Sequence, residues 1–337
     1  MKQHIYILSL FLLLLSGCEQ EYIFTGKFPA PRLVLYSFIE PDSLIEIRVS
    51  KTRAIGQEDS AYTARNVEGE IYINGQYKAK LIHLENDRYQ TGISASEGDK
   101  VRVVVRASGV SEASAETIVP EPVPTVSTDT FVYGGHIHFR VKISEQDAGY
   151  KYYRFLLKRK TINKTENYNT GDILTQETEN DWFYRKNEPL LYNRNDIELG
   201  SEEDDNEYNL YNIFSNATFR GKNYTLKIST YHFPSYEHDI LYILENERGH
   251  YLSETAYNLS LYRMDEASYL YLKSEEEAYR GEVILSDPIK VYSNVNQGVG
   301  VIGSFSRKEI SIRQAVIQKE LYETTANPFH DYSAGGE

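Results

Sequence analysis

Residues 293–306 read SNVNQGVGVIGSFS and place glycines at Gly298, Gly300 and Gly303. That spacing, G-x-G-x-x-G, is the fingerprint of a dinucleotide-binding turn, so the reading of this stretch decides between a doubly wound α/β fold and a β fold. A dinucleotide turn must follow a strand and open a helix, because the helix N-terminus faces the pyrophosphate. Here Gly303 is followed by SFSRKEISI, in which Phe305 and the apolar residues near it alternate with polar ones at the strand period. No acidic residue stands about 20 positions further on in a strand–helix–strand setting, as the fingerprint requires. The stretch reads as a glycine-rich β segment, where a missing side chain permits a bulge or the close approach of a neighbouring strand. No cofactor is expected.

The rest of the composition agrees with β structure. The chain has 337 residues, 41% hydrophobic and 25% charged, which is a globular balance with room for two ordinary domains. A net charge of -13 argues against nucleic acid, which needs a basic face. Twenty-nine tyrosines stand against one tryptophan and two methionines, and tyrosine suits pleated, half-buried surfaces. Glycine and proline show no repeat period. The fold class expected is mainly all-β.

The chain opens MKQHIYILSLFLLLLSGCEQE. Lys2 gives a short positive region and Ile5 to Leu15 an apolar run. A membrane-spanning helix needs about 20 apolar residues, so this run fits the core of a secretory signal peptide instead. It ends in Leu15, Ser16, Gly17 and Cys18, which resembles a bacterial lipobox whose cysteine is lipidated and becomes the first mature residue. Cys18 is the only cysteine, so neither a disulfide framework nor a cysteine-based metal site is expected. Each buried acyl methylene contributes about 0.8 kcal/mol, and a tri-acyl anchor on Cys18 would be effectively permanent. Glu19 and Glu21 directly behind Cys18 look like a lipoprotein surface-export signal, which favours a cell-surface orientation over a periplasmic one at the outer membrane.

Beyond a signal peptide over 1–17 and a tether over 18–30, strand patterns begin. RLVLYSFIE and LIEIRVSKTR alternate apolar with polar residues, VEGEIYINGQYKAKLIHL reads as two strands around Asn74-Gly75, and RYQTGI, DKVRVVVRAS and EASAETIVP complete the set. Short strands with turn signals between them over 31–120 predict an immunoglobulin-like β-sandwich. Pro120, Pro122 and Pro124 stiffen a Pro-rich linker, placed at 121–128. A β-rich second domain is expected over 129–322, with strands at HIHFRVKIS, YKYYRFLLKRK, ATFRGKNYTLKISTY, AYNLSLYR, DPIKVYSN, GVGVIGSF and RKEISIR. Residues 161–208 read as polar and irregular. One helix is expected from Asp265, which can cap it, to Arg280, near 265–280, with Gly281 as its C-terminal stop. Ala267, Tyr271, Ser274 and Ala278 fall on one of its faces. Residues 323–337 form a polar tail.

Candidate chemistry is sparse. His136 and His138 share a strand face and could form a metal comb, but Arg140 and Lys142 lie on the same face and would repel a cation. That face reads as solvated. His232, Glu237, His238 and Asp239 are ligand types at a spacing that matches no zinc pattern. The acidic run Glu202 to Glu207 lacks the alternating Asp and Gly of a calcium loop and reads as a solvated segment. No metal is expected. The chain contains no G-x-S-x-G, S-x-x-K or H-E-x-x-H, and no catalytic residue is assigned. The aromatics Tyr150, Tyr152, Tyr153, Trp182, Phe183, Tyr184, Tyr231 and Tyr236 lie in or beside loops of the second domain. Trp182, Tyr184, Tyr231 and Tyr236 are the candidate ligand contacts, since exposed rings can stack on sugars or hold peptide side chains; strand packing is the competing explanation.

Taken together, the lipobox Cys18, LVLYSFIEPDSLIEIRVSKTRAIG, VEGEIYINGQ, FRGKNYTLKIS, SLYRMDEASYLYLKS and DPIKVYSNVNQGVGVIGSFS resemble the Bacteroidota lipoproteins known as the domain of unknown function 4249 family. The most specific piece is the last, with Pro288, Asn294, Gly298, Gly300 and Gly303. Members are often encoded beside a TonB-dependent outer-membrane receptor of the starch-utilisation type, which implies a role in nutrient capture. The family has no established catalytic residues to carry over. The expectation is a non-enzymatic, lipid-anchored accessory or binding protein of the outer membrane, held by acyl chains on Cys18 and partnering a TonB-dependent receptor. The alternatives are a structural or adhesive envelope lipoprotein without a transporter and a hydrolase with an unrecognised site.

Overall fold

A computed structural model describes residues 29–53, 62–121, 123, 126–167, 170–181, 188–191, 209–231, 249–280 and 289–313. The first eight strands are β1 (Leu33–Ile39), β2 (Leu44–Lys51), β3 (Glu68–Ile73), β4 (Gln76–Lys80), β5 (Ile82–Glu85), β6 (Arg88–Ser94), β7 (Lys100–Arg106) and β8 (Ala113–Ile118). They pair in the orders β1-β2-β6-β5 and β4-β3-β7-β8. These are the strand orders of an immunoglobulin-like sandwich, ABED facing CFG, with one extra strand beside C. Period-2 patterning drives the packing: Leu33, Leu35 and Ile39 of β1, Ile45, Ile47 and Val49 of β2 and Val101, Val103 and Val105 of β7 all turn into one core. The β3–β4 hairpin turns on Asn74 at φ 53° and Gly75 at φ 80°. Two positive φ values are what a type I′ turn demands.

The second half repeats the sandwich principle. Strands β9 (Val126–Tyr133), β10 (His136–Ile143) and β14 (Tyr224–Tyr231) form a sheet in the order β14-β10-β9. It faces β11 (Tyr152–Asn167), β12 (Ile173–Asp181), β15 (Gly249–Met264) and β16 (Val299–Arg313), with β13 (Ile213–Ser215) paired to the start of β11. Ile137, Phe139, Leu226 and Ile228 from one sheet meet Phe155, Leu157, Leu259 and Leu261 from the other.

The two sandwiches are joined by one strand. Val299–Ser304 of β16 runs parallel to β1, while Phe305–Arg313 runs antiparallel to β15. A single sheet therefore continues β12-β11-β15-β16-β1-β2-β6-β5 across both halves. The helix α1 (Glu266–Arg280) follows β15 directly and packs on β16. Asp265 caps it as expected, accepting the Ser268 backbone N–H at 2.9 Å. Among the described residues no helix is long and apolar enough to cross a membrane.

Several expectations are corrected in detail. The segment read as irregular after 161 is strand: β11 continues to Asn167 and β12 pairs with it as a hairpin. The two strands expected around Asn74-Gly75 are three, because the chain turns at Leu81 between β4 and β5. The last two expected strands are one continuous β16, and residues 289–293, expected as strand, are not. The strand expected from Ala217 starts only at Tyr224, after a turn through 217–222. Residues 126–128, placed in the linker, begin β9. The face of β10 read as solvated holds a buried histidine: His138 is 6% exposed and stacks on Phe131 at 4.9 Å, since a flat ring packs between strands without needing water. On α1 the buried stripe is Ala267, Ser268, Leu272 and Glu276, so the face is rotated from the one expected. Gly281 lies outside the described residues.

Candidate functional site

The glycines of the opening stretch sit where β16 meets β1 and α1. A Cβ on Gly298 would stand 2.8 Å from the Leu33 carbonyl oxygen. Gly300 is at φ 104°, which would turn a Cβ to 2.1 Å from the Leu35 oxygen, and a Cβ on Gly303 would stand 2.1 Å from Ser268 Oγ. The three positions are bare so that β1 and the first turn of α1 can close on the strand. A buried polar joint fills the same place. Asp265 Oδ1 accepts the Ser304 N–H at 3.1 Å as well as that of Ser268, and Asp265 Oδ2 accepts the Thr117 hydroxyl at 2.7 Å. The Ser304 hydroxyl donates to the Ile118 carbonyl at 2.9 Å. Burial pushes the Asp265 carboxyl up, and these donors oppose that shift. The joint ties helix, shared strand and first sandwich, and its residues are consumed by one another.

Beside α1 an open cleft of about 470 Å³ lies against the second sandwich. Small-molecule sites run roughly 300–1,000 Å³. One wall is a stripe of the helix, Tyr269, Lys273, Glu276 and Glu277, at the i, i+4, i+7, i+8 spacing that puts side chains on one side. The other wall has an apolar floor, Leu190, Ile213 and Phe214, and polar Asn209 and Tyr224. Each element is pinned. The Tyr269 ring stacks on Tyr152 at 4.5 Å and the Tyr224 ring on Phe219 at 4.7 Å. The Tyr224 hydroxyl donates to Glu188, which also accepts the Lys227 and Leu190 N–H groups and so fixes the 3-10 turn Pro189–Leu191. Glu188 is 1% exposed and burial holds its carboxyl above the usual range. Asn209, at φ 66°, takes the Ile213 N–H at 2.8 Å and gives its amide N–H to the Ile213 carbonyl at 2.7 Å. Glu276 is 5% exposed and accepts the Leu210 N–H at 3.0 Å, which fastens the loop to the helix. Burial first, then Glu277 and Glu276, raise the Tyr269 phenol.

On the outer face of the shared sheet, Tyr36, Phe38 and Tyr271 meet edge to face. Tyr211 and Tyr271 both donate to Glu275, at 2.8 and 3.4 Å. Burial, then Glu275, pushes the Tyr211 phenol up to about 12. The tyrosine excess is thus spent partly on stacking beneath and around α1.

Residues 19–323 match the family described as Domain of unknown function (DUF4249). The chain belongs to this family. In this DUF4249 chain the matched span takes in both sandwiches, the shared strand, the helix and the cleft. No curated protein is similar enough to the chain to be matched. Of the residues singled out in sequence, Leu15, Ser16, Gly17, Cys18, Trp182, Tyr184 and Tyr236 lie outside the described residues, as do the 202–207 run and His232, Glu237, His238 and Asp239. Tyr231 closes β14 opposite His136. Tyr152 and Tyr153 open β11, within the strand expected at YKYYRFLLKRK; Tyr153 is buried against Phe214 and Tyr152 backs the cleft. Tyr150 is exposed beneath Arg220. Among the described residues no group of three or more His, Cys, Asp or Glu could hold a metal. The cleft residues carried no motif in the DUF4249 sequence; their one signal was the stripe Tyr269, Lys273, Glu276, Glu277 on a helix whose burial was assigned to another face.

Proposed function

We propose that this DUF4249 protein is a lipid-anchored accessory or binding protein of the outer membrane that captures nutrients beside a TonB-dependent receptor and performs no chemistry itself. The observation that carries the reading is the lipobox, Leu15 to Cys18, directly behind the apolar run from Ile5. An acyl anchor on Cys18 confines the protein to two dimensions near its partner and raises its effective concentration without a large interface. The first sandwich serves as spacer or docking module and the second presents the cleft. The shared strand supports the idea by pairing with β1, the first strand after the tether, and running on into the sandwich that presents the cleft. The test is extraction of the outer membrane in mild detergent with a C-terminal tag and mass spectrometry of what co-purifies. A large TonB-dependent barrel at near-equal amount is expected; recovery of the lipoprotein alone would shift the function to a free-standing envelope or adhesive role. Cys18→Ala should release the protein from membranes, and retention would refute the anchor.

A further inference from the structure

We propose that β12 is a docking edge for a second copy of this chain, which joins it as an antiparallel strand about a twofold axis at Gln176. The inference goes beyond the proposed function and uses neither the lipid anchor nor the receptor. β12 ends the long sheet and pairs on one side with β11. Among the described residues nothing pairs with its other side, so a row of backbone N–H and C=O groups faces outward there. All nine of its residues are exposed, Ile173 at 66% and Leu174 at 71%. Edge strands are ordinarily blunted by lysine, proline, a bulge or short length. β12 has no lysine or proline, and its register against β11 runs from Ile173 to Asp181 without a shift. By contrast β5, at the opposite end of the same sheet, is four residues long and shifts register against β6.

The pattern of the strand selects a second copy as the occupant. A closed pair about a twofold axis normal to the sheet is antiparallel, keeps each face on its own side and places the axis on one residue. With the axis at Gln176 the ladder spans Ile173–Glu179. Gln176 then faces itself, while Thr175 faces Glu177, Leu174 faces Thr178 and Ile173 faces Glu179 of the second copy. No carboxylate stands directly opposite another, and the exposed Ile173 and Leu174 gain the Glu179 stem and the Thr178 methyl as cover. An axis at Glu177 sets two carboxylates face to face, and one at Thr178 sets Glu177 against Glu179. An axis at Thr175 shortens the ladder to Ile173–Glu177. The acidic residues are already answered inside the hairpin, where Lys160 Nζ lies 2.5 Å from Glu177 and Lys158 Nζ 3.6 Å from Glu179. A basic segment of another protein would find those carboxylates paired. A ladder of this length buries less than the roughly 1,200 Å² of a standard interface, so the association is a reversible one.

The experiment is sedimentation of the purified full-length chain in mild detergent. Monomer and dimer should exchange, with the dimer fraction rising with concentration. Gln176→Lys and Gln176→Glu each set like charges on the axis, and each should weaken association at least about tenfold. An equimolar mixture of the two variants should recover association to the wild-type level or beyond, because opposite charges then meet. Gln176 is exposed and lies opposite Asn163 of β11, so the fold tolerates either residue; unfolding midpoints near that of the wild type check this. Gln176→Cys should form an intermolecular disulfide under mild oxidation in a yield that the wild type, with Cys18 alone, does not reach. A monomer at every concentration, a dimer that both charge variants leave intact, or no recovery on mixing would overturn the proposal. The receptor pull-down is independent of it, so failure of one reading leaves the other standing.

Discussion

Gly300 shows how much one hydrogen atom in place of a methyl group decides in this fold. It combines φ 104° with a Cβ direction that ends 2.1 Å from the Leu35 carbonyl oxygen. Gly300→Ala should therefore cost about 3 kcal/mol, from backbone strain and from displacing β1. Gly92 has an ordinary φ and nothing within 4 Å of a built Cβ. Gly92→Ala should be neutral or stabilising by up to about 1 kcal/mol. Denaturant unfolding of both variants separates a close-packing role from a general tolerance, and equal effects would rule out the close approach at Gly300. His138 makes a second prediction at this scale. Burial first, then His136, lowers its pKa from 6.5, while its hydrogen bond to the Tyr133 carbonyl pulls the other way. Phe131 and Tyr133 of β9 and His136 of its own strand lie against its ring. The fold holds the neutral imidazole, so the unfolded chain takes the proton first as pH falls. Stability is full above about pH 6.5 and declines below it, through the window between the ordinary and the depressed pKa. Unfolding midpoints measured from about pH 7 to about pH 5 should fall, and His138→Phe should flatten that slope. An unchanged slope would place the titration elsewhere.

The helix shows how an element can be legible while its role is not. Asp265 could be read as a cap from the sequence because a short acidic side chain ahead of Glu266 has an N-terminal use for its oxygen. That its other oxygen takes the Thr117 hydroxyl could not be read, since Thr117 comes from the far sandwich. Asp265→Ala should consequently cost more than a surface cap, about 2 kcal/mol against about 1, because the Ser304 N–H and Thr117 hydroxyl each lose a charged acceptor in a buried place and keep only the neutral Ser268 and Ser304 hydroxyls. Thr117→Val should cost less, as Asp265 Oδ2 loses its donor while Oδ1 keeps the Ser268 and Ser304 N–H groups. A loss below about 0.5 kcal/mol for Asp265→Ala in denaturant unfolding would deny the joint. The first sandwich was legible because its strands have one dry face and one wet face, and the Asn74-Gly75 turn has few other uses. The β11–β12 hairpin was illegible for the opposite reason. Every residue of β12 is exposed, Ile173 at 66% and Leu174 at 71%, so neither face alternates and the sequence looks like a polar loop. His138 was misassigned by the same logic reversed, since a polar residue at an outward position of the alternation lies beneath a ring from the next strand. The cleft was hidden because its lining comes from four separated segments and contains no residue type that implies chemistry alone.

At the scale of the molecule, the sequence suggested two bodies joined by a Pro-rich connector, and the structure weaves them together. The reason is that β16 pairs with strands from opposite ends of the chain, and strand pairing at such separation leaves no trace in local periodicity. The connector is then only one of several links. Beyond the β1–β16 ladder, Ser114 and Asn296 exchange backbone hydrogen bonds at 3.2 and 2.8 Å, Asn294 donates to the Glu116 carbonyl at 3.1 Å, and Ser306 donates to the Glu121 carbonyl at 2.9 Å. Ile302, fully buried, also places its side chain in the core of the first sandwich while its strand continues into the second. A protease site inserted between Glu121 and Val126 tests which picture governs. If the connector held the halves together, cutting it would release two fragments. With β16 built into both sheets, the fragments should co-elute as one species on size exclusion and unfold in a single thermal transition, because removing β16 from β1 would strip a ladder, open the Asp265 joint and expose Ile302 together. Separate elution, or two resolved transitions, would show that the shared strand is a contact and the connector the true bond. Co-elution together with loss of association in Gly300→Ala would place the link at the glycine-bared face of β16, where the strand and its neighbour come closest.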